Sequence, residues 1–392
     1  MSAAAKSRIT SIDLLRGAVM LIMALDHARD FLHLDFFNGN DPLDFATTST
    51  PLFLTRWITH FCAPVFVFLA GASIFFSGVK KTKSELTLFL FMRGLWLIIL
   101  EVTVIYFGWM FDPTFKLVFL QVIWAIGVSM VVMSCFVFLP RPLILLTGLL
   151  IIAGHNALDV FDAAKEEHAG LVWSVLHQQE KFSIAEHHSV IIAYPVLPWI
   201  GLMMTGYAFG ALFSGAVNEQ KRRTTLIILG LSCIALFVAL RSGNFYGDAH
   251  HWEKQKTDVF TALSFIDCTK YPPSLLYLLM TIGPALLFLA FAQNLKGKLV
   301  EAISIIGRVP LFYYILHIYL LHIIAGVLFF ATGHTLGEID FERELPEAPE
   351  NFGFHLWQVY LIWLFAIALL YFPCKWYNSY KSSHSYWWLS YL

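Results

Sequence analysis

The feature that most constrains this chain is a succession of about ten apolar segments, each of roughly the length that crosses a lipid bilayer as a helix. The predicted spans are 10–32, 53–77, 86–109, 116–139, 142–156, 189–213, 223–241, 273–293, 302–331 and 355–374. A helix in a large soluble core can be equally apolar, but so many in succession indicate a membrane protein. We therefore predict an all-α polytopic membrane protein in which residues 1–392 form a single bundle of about ten transmembrane helices.

Composition agrees with a membrane protein and excludes several other classes. Only 14% of the residues are charged, whereas an ordinary soluble domain has about 25%. Lys and Arg number 26 and Asp and Glu 27, so no basic excess is available to bind nucleic acid. The five cysteines lie far apart without a CxxC pair, which argues against disulfides and zinc knuckles. We therefore expect no nucleic-acid partner and no bound metal.

Basic residues predict which ends of the spans face the cytoplasm. Lys6 and Arg8 precede the first span, and Lys or Arg follows each even-numbered span; these residues are Lys80, Lys81, Lys83, Arg141, Lys221, Arg222, Arg223, Lys296, Lys298, Lys375 and Lys381. Cytoplasmic loops are enriched in Lys and Arg. The pattern predicts an even number of spans with both termini cytoplasmic.

The first predicted span carries a polar stripe. Arg16 and His27 are eleven residues apart, which is close to three helical turns, so both lie on one face. Asp13 lies three residues before Arg16 and can pair with it, and Asp26 adjoins His27. A histidine beside a carboxylate can act as a general base. The alternative is a buried salt bridge with an interfacial histidine at the helix end.

The third and ninth spans contain further charged residues. Arg93 lies in the inner half of the third span and Arg308 near the cytoplasmic start of the ninth. Together with Arg16 they predict a positive pocket on the cytoplasmic side, which would suit a phosphate group. Glu101 lies in the outer half of the third span, where it could orient His27.

Polar residues within other spans or near their outer ends are candidates for substrate binding, and His317 among them is expected mid-membrane. These are His60, Gln121, Lys270, Tyr271, His317 and His322. His60 could line a site or pack at an interface, and Lys270 could cover a ligand or extend its amine to the membrane surface. His317 and His322 face different directions on the helix, so we expect one to reach the cavity and the other to pack against a neighbouring helix.

Charged and histidine side chains inside a membrane also occur in transporters. A transporter or permease that uses these residues as a substrate or proton path is therefore the alternative function. Many transporters contain internal repeats with broken helices at matching positions, and this chain has none that we recognise. A non-catalytic scaffold would leave these buried polar groups unexplained.

Several motifs resemble those of a known enzyme family. RGAVMLIMALDH matches the Arg-x10-His pattern of integral-membrane acyltransferases. RITSIDLLRG, HFCAPVFVFLAG, YPVLPWIG, TKYPPSLLYLL and GRVPLFYYILHIYLLH together resemble the bacterial DUF1624 proteins, relatives of heparan-α-glucosaminide N-acetyltransferase. The resemblance extends over nearly the whole chain.

This resemblance implies acyl transfer across a bacterial inner membrane. Acetyl-CoA, or another acyl-CoA, would be the cytoplasmic donor, and a sugar or glycan the acceptor on the outer face. Arg16 would be the family arginine, with Asp13, Arg93 and Arg308 completing the donor site. A homodimer is possible.

The resemblance leaves two candidates for the catalytic base. The lysosomal enzyme has Asn where this chain has His27, and its proposed catalytic histidine lies in the following loop, where this chain has His33. We favour His27, oriented by Asp26 or Glu101, because it shares a stripe with Arg16. Direct transfer and a ping-pong route through an acylated histidine both remain open.

Overall fold

The computed structural model describes residues 10–162, 169–345, 348–349 and 351–391. Lys6 and Arg8, which the orientation argument uses, lie outside the described residues. The α-helices are α1 (Thr10–Leu32), α2 (Leu34–Phe37), α3 (Thr50–Thr59), α4 (Cys62–Gly78), α5 (Lys83–Leu100), α6 (Tyr106–Met110), α7 (Val122–Phe136), α8 (Arg141–Gly154), α9 (Leu171–Leu176), α10 (Leu197–Phe209), α11 (Glu219–Ser242), α12 (Asp258–Ile266), α13 (Leu275–Phe291), α14 (Lys298–Arg308), α15 (Pro310–Ala331) and α16 (Leu356–Ser383).

The prediction of an all-α polytopic membrane protein is confirmed. Within the described residues, seven helices are long and apolar enough to cross a membrane, and two shorter apolar helices cover Val122–Phe136 and Leu197–Phe213. The first helix, α1, has the length of a span but carries the charged stripe. Side chains such as Leu88, Leu150 and Phe372 are more than 60% exposed on the outside of the bundle, as expected where lipid is the solvent.

Both described ends of the chain lie at the same end of the bundle. Asp13, near the start of α1, is 3.5 Å from Arg308. Lys381, near the end of α16, lines the same cavity as Arg16 and Arg308. We refer to this as the inner end. For the described ends of the chain, the prediction that both termini share one side agrees with these contacts.

The first helix is the centre of the bundle. It contacts α3, α4, α13, α14, α15 and α16, and most of its residues are buried. Gly17 lets α14 approach closely, because a Cβ at that position would lie 2.0 Å from the carbonyl oxygen of Ile303. Glycine pairs allow other helices to pack in the same way: Gly94 with Gly127, Gly148 with Gly201, and Gly230 with Gly283.

The ninth predicted span, 302–331, was wrong as a single helix. The chain breaks at Val309, whose φ of −129° and ψ of 50° are not helical. Proline disfavours a helical conformation in the residue before it, and Pro310 then begins α15. As a result α14 is a separate amphipathic helix at the inner end.

Two other predicted spans begin too early. The start of 116–139 forms strand β1 (Leu117–Leu120), and the start of 189–213 forms β3 (His188–Ile192). β3 pairs in parallel with β1 and antiparallel with β2 (Glu180–Ala185). Short runs rich in Val, Ile and Phe favour strands, but their apolar character alone does not distinguish a strand from the start of a membrane helix. This small sheet covers the outer end of the bundle.

Further irregular helical segments occur within or next to the bundle. Glu101–Ile105 is a π-helical insertion between α5 and α6. The 3₁₀ segments are His155–Phe161, Gly210–Phe213, Ala292–Asn294, Leu336–Glu338 and Trp387–Ser390. π insertions are often found at functional sites, and this one contains the buried Glu101.

Candidate active site

Two histidines from distant parts of the chain meet inside the bundle. Nδ1 of His27 on α1 lies 2.7 Å from Nε2 of His317 on α15, and the rings are stacked with centroids 4.9 Å apart. His317 is fully buried and His27 is partly buried. Trp109 and Tyr314 surround His27, with ring centroids 4.7 and 6.3 Å away.

The hydrogen bonds of this pair define which nitrogen carries each proton. Nδ1 of His317 lies 3.1 Å from the carbonyl oxygen of Tyr313, which can only accept a hydrogen bond. In a neutral pair, Nδ1 of His317 therefore donates to Tyr313, and its Nε2 accepts from Nδ1 of His27. This arrangement leaves a lone pair on Nε2 of His27, which is the form that a general base needs.

Asp26 does not make this contact with His27. Its carboxylate pairs with Arg56 at 2.5 Å and with Arg29 at 2.9 Å, and Arg29 also pairs with Asp30 at 2.5 Å. Asp26 was expected to orient His27, but the group that contacts Nδ1 of His27 is Nε2 of His317. The sequence analysis did not identify Arg56 as a candidate site residue. Its charge within the apolar segment TRWITHFCAP could have indicated a buried ionic partner.

Glu101 is also engaged elsewhere. Its Oε1 accepts from the backbone N–H of Gln121 at 3.3 Å, and its Oε2 accepts from that of Trp124 at 3.0 Å. The first turn of a helix has unpaired N–H groups and a positive dipole end, so the carboxylate caps α7. Glu101 was expected to orient His27, but its observed contacts cap α7 instead. Gln121, which was predicted to bind substrate, contacts Glu101 through its backbone N–H.

His33 lies just beyond the outer end of α1. Its Nδ1 accepts from the backbone N–H of Asp35 at 3.2 Å and caps the short helix α2. Burial lowers the pKa of His33 below its usual value, although Asp35 opposes this. The local contacts of His33 thus resemble those of a structural cap, while His27 has the geometry of a base.

A basic cavity lies between these histidines and the inner end. It has a volume of about 270 Å³, and Arg16, Arg93, Arg308 and Lys381 line it together with apolar side chains. Tyr314, next to His27, also lines this cavity. The structure therefore brings together the three arginines that the sequence predicted for one positive pocket.

Asp13 is the acidic partner in this inner cavity region. It lies 3.6 Å from Arg16 and 3.5 Å from Arg308, and Glu301 pairs with Arg308 at 2.8 Å. Arg16 also donates to the hydroxyl of Ser73 at 3.1 Å and to the carbonyl of Gly307 at 3.2 Å. These contacts hold the guanidinium of Arg16 at the cavity wall.

A second cavity opens at the outer end of the bundle. It has a volume of about 690 Å³ and is lined by Arg56, His60, Lys270 and Tyr271 together with acidic and backbone groups. His60 is completely buried, and neither ring nitrogen has a hydrogen-bond partner within the described residues. Three of the predicted substrate-binding residues therefore lie together, with an unsatisfied imidazole among them.

The Tyr271 phenol in the outer cavity has unusual acidity. Burial raises its pKa, but Lys270 and Arg56 outweigh burial, so the pKa is lowered from its usual value. The Lys270 amine lies 4.9 Å from the centre of the Tyr271 ring, and the Tyr271 hydroxyl is 3.5 Å from that of Tyr194. The outer cavity thus offers several polar groups that can exchange protons or hydrogen bonds with a ligand.

The last predicted site residue, His322, does not join either cavity lining. Its ring stacks on Phe111 with centroids 3.9 Å apart, and its Nδ1 donates to the carbonyl of Gly108. Neither histidine of α15 lines either of these two cavities: His317 pairs with His27, and His322 packs against aromatic side chains.

Comparison with known proteins identifies a matching family. The family model described as "Heparan-alpha-glucosaminide N-acetyltransferase, catalytic" matches residues 8–241, which is more than half of the chain. The match includes Arg16, His27 and Arg93 and ends before Lys270 and His317. No curated protein matches the chain.

Proposed function

The chain belongs to the catalytic family of heparan-alpha-glucosaminide N-acetyltransferase, and on that basis we propose that it transfers an acetyl group from cytoplasmic acetyl-CoA to a sugar-like acceptor on the outer face. Membership of this family makes the protein a transferase, and its helices make it a multi-pass membrane protein. We further propose the bacterial inner membrane as its location. A homodimer stays a prediction.

The observation that carries this proposal is the His27–His317 pair, which lines neither cavity itself but has neighbours that line each of them. Tyr314, beside both rings, lines the inner cavity. Asp26, adjacent to His27 in the chain, pairs with Arg29 and Arg56, which line the outer cavity. A base in this position can meet a donor from one side and an acceptor from the other.

The inner cavity suits the donor. Guanidinium and ammonium groups bind phosphate through charge-assisted hydrogen bonds, and Arg16, Arg93, Arg308 and Lys381 all line this cavity. The apolar walls beyond them would accommodate the uncharged pantetheine arm, whose thioester would lie near Tyr314 and His27. These features support acyl-CoA as the donor.

In the proposed reaction, Nε2 of His27 removes a proton from the acceptor amine or hydroxyl as that group attacks the thioester carbonyl. The carbon–sulfur bond breaks, and the departing CoA thiolate takes up the proton that Nε2 of His27 removed, which returns His27 to its neutral form. The lone pair of His317 Nε2 accepts a hydrogen bond from Nδ1 of His27 throughout and so stabilises the imidazolium that forms.

A ping-pong reaction differs in its first step, in which Nε2 of His27 would itself attack the thioester. Mixing with radiolabelled acetyl-CoA in the absence of acceptor distinguishes the routes. Label that stays on the denatured protein and is lost in His27→Ala would support the ping-pong route. Absence of label with full transfer activity would support direct transfer.

The outer cavity suits a polar acceptor. Lys270 and Arg56 provide donors, Asp30 and Asp267 provide acceptors, and the buried ring of His60 has two nitrogens without a hydrogen-bond partner within the described residues. A sugar presents several hydroxyl groups that both donate and accept, so this mixed lining supports a sugar-like acceptor better than a single charged ion.

Acetyl-CoA binding to the purified protein in detergent, measured by calorimetry, tests the proposal. We expect binding by the wild type and by His27→Ala, and at least tenfold weaker binding by Arg93→Ala. Arg222→Ala is the matched control, since Arg222 packs on Phe213 and bonds to Gln293 outside the inner cavity lining. Failure of a folded wild-type sample to bind any acyl-CoA would overturn the proposal and favour the alternative function, a transporter or permease.

The base assignment has its own test. Amino sugars are screened as acceptors by the release of CoA thiol, and the best acceptor is used for the variants. We expect His27→Ala to lower the transfer rate by about 10²- to 10⁴-fold and His33→Ala to retain most of it. The reverse result would identify His33 as the base.

A further inference from the structure

A second cluster of histidine and carboxylate side chains lies at the outer end of α8. His155 and Asp159 are on the 3₁₀ segment that follows α8, and His177 follows α9. One ligand atom from each of the three lies within 4.8 Å of the others. The distance between Nε2 of His177 and Oδ1 of Asp159 is 3.5 Å.

His155 is the first sign that this cluster binds something. Its side chain is 2% exposed, and neither ring nitrogen makes a well-formed hydrogen bond within the described residues, although the Pro273 backbone lies close by. A buried polar group without a partner costs free energy, so native structures rarely leave one unsatisfied. The unsatisfied ring of His155 is therefore available as one of the three ligands of this cluster.

The neighbouring groups orient the other two ligands. Nδ1 of His177 lies 3.0 Å from the carboxylate of Asp162, which also accepts from the indole of Trp173 at 2.9 Å. Nδ2 of Asn156 donates to Oδ2 of Asp159 at 3.1 Å, which leaves Oδ1 facing His177. A carboxylate behind a histidine is the usual arrangement around a metal ligand, because it fixes the ring and its tautomer.

Ligand spacing agrees with a small divalent cation. Zinc binds nitrogen and oxygen ligands at about 2.0–2.2 Å, so two ligands of a tetrahedral site lie about 3.3–3.5 Å apart. The 3.5 Å separation of the His177 and Asp159 atoms agrees with this value. Nε2 of His177 also lies 3.0 Å from the backbone carbonyl of His155. A cation bound at Nε2 would replace this contact.

We propose that His155, Asp159 and His177 form a binding site for a divalent transition metal of the zinc class. This departs from the expectation of no bound metal that the cysteine pattern supported. The site is independent of acetyl transfer. Asn156 links it to the start of α13, since its Oδ1 accepts from the backbone N–H of Leu275 at 2.9 Å. The cation would therefore fasten the outer segment around α9 to α8 and α13.

Metal content is the direct test. The full chain, purified in detergent with an affinity tag that contains no histidine, is stripped with EDTA, reloaded with a small excess of zinc and freed of unbound metal. We expect about one zinc per chain by mass spectrometry, with a thermal transition several degrees above that of the stripped protein. Cobalt in place of zinc should give the strong visible absorption of a tetrahedral site.

Variants decide whether the zinc is bound at this cluster. His155→Gln and Asp159→Asn should each lose the zinc, and Asp162→Asn should bind it about 10–100-fold more weakly. His187→Gln is the control, because His187 is an exposed outer-loop histidine outside the cluster. Melting of the stripped variants checks their folding.

Two outcomes would overturn the proposal. The first is a folded wild type that binds no zinc after reloading. The second is zinc that remains in both His155→Gln and Asp159→Asn, since it would then be bound elsewhere. Neither outcome affects the acetyl-CoA binding experiment.

Discussion

Substitution of His317 tests the pairing that the proposed reaction depends on. His317→Ala removes the acceptor for Nδ1 of His27, which lies 2.7 Å away, and leaves the base free to rotate or change tautomer. A hydrogen bond to a charged group contributes about 1.5–3 kcal/mol, and His27 becomes charged in the transition state. At about 1.4 kcal/mol per tenfold change, kcat should fall about 10- to 150-fold. KM for acetyl-CoA should change little.

The assay is CoA thiol release under saturating acetyl-CoA and acceptor. His317→Gln is the conservative variant, because its side-chain oxygen can accept from His27 and should restore part of the lost rate. His322→Ala is the matched control on the same helix, since His322 packs on Phe111 and Phe31 instead. The double variant of His27 and His317 should be no slower than His27→Ala, because the two residues act as one unit.

Two results would refute this reasoning. One is wild-type kcat in a folded His317→Ala sample. The other is a double variant whose loss equals the product of the two single losses, which would mean that the histidines act independently.

Three further predictions concern stability. Glu101→Ala should destabilise the protein by about 1–3 kcal/mol and lower its melting temperature, because two backbone N–H groups at the start of α7 lose their acceptor. An unchanged melting temperature would refute the capping role. Burial raises the pKa of Asp267 from 3.8 to about 6, although the charge of His250 opposes this shift. The folded state therefore holds a proton that the unfolded state loses, and the free energy of unfolding should decline as the pH rises from about 4 to about 6. Asp267→Asn should flatten the dependence of the melting temperature on pH in this range. Gly17→Ala should lower the free energy of unfolding by about 1–3 kcal/mol or more, because the new Cβ would collide with α14. Gly326→Ala is the control: no atom lies within 4 Å of its new Cβ, so it should have the melting temperature of the wild type.

Much of the fold could be predicted because a bilayer acts on local sequence. Roughly 20 consecutive apolar residues must form a helix there, since an unpaired backbone group in lipid costs several kcal/mol. The same reasoning found Arg16 and Asp13 on one face of α1, and the structure places them 3.6 Å apart. Local patterns failed where strand and helix look alike, as in LVFL and SVII of β1 and β3, and where Pro310 divides an apolar run.

The partners of the buried polar groups could not be predicted from sequence. Asp26 and Glu101 were expected to orient His27, but packing turns Asp26 toward Arg56 on α3 and Glu101 toward the first turn of α7. The partner that meets His27 is His317, at a separation of 290 residues along the chain. Nothing in the spacing of either helix specifies such a pair.

The sequence by itself therefore determined that the chain has many apolar helices long enough to cross a membrane, and which polar side chains lie within them. The tertiary structure alone decided which of those side chains meet. The physical reason is that helix formation in lipid depends on short-range hydrogen bonding and hydrophobicity. Contacts between helices depend instead on close crossings such as that of Gly17 with α14, which set the rotation of each helix about its axis.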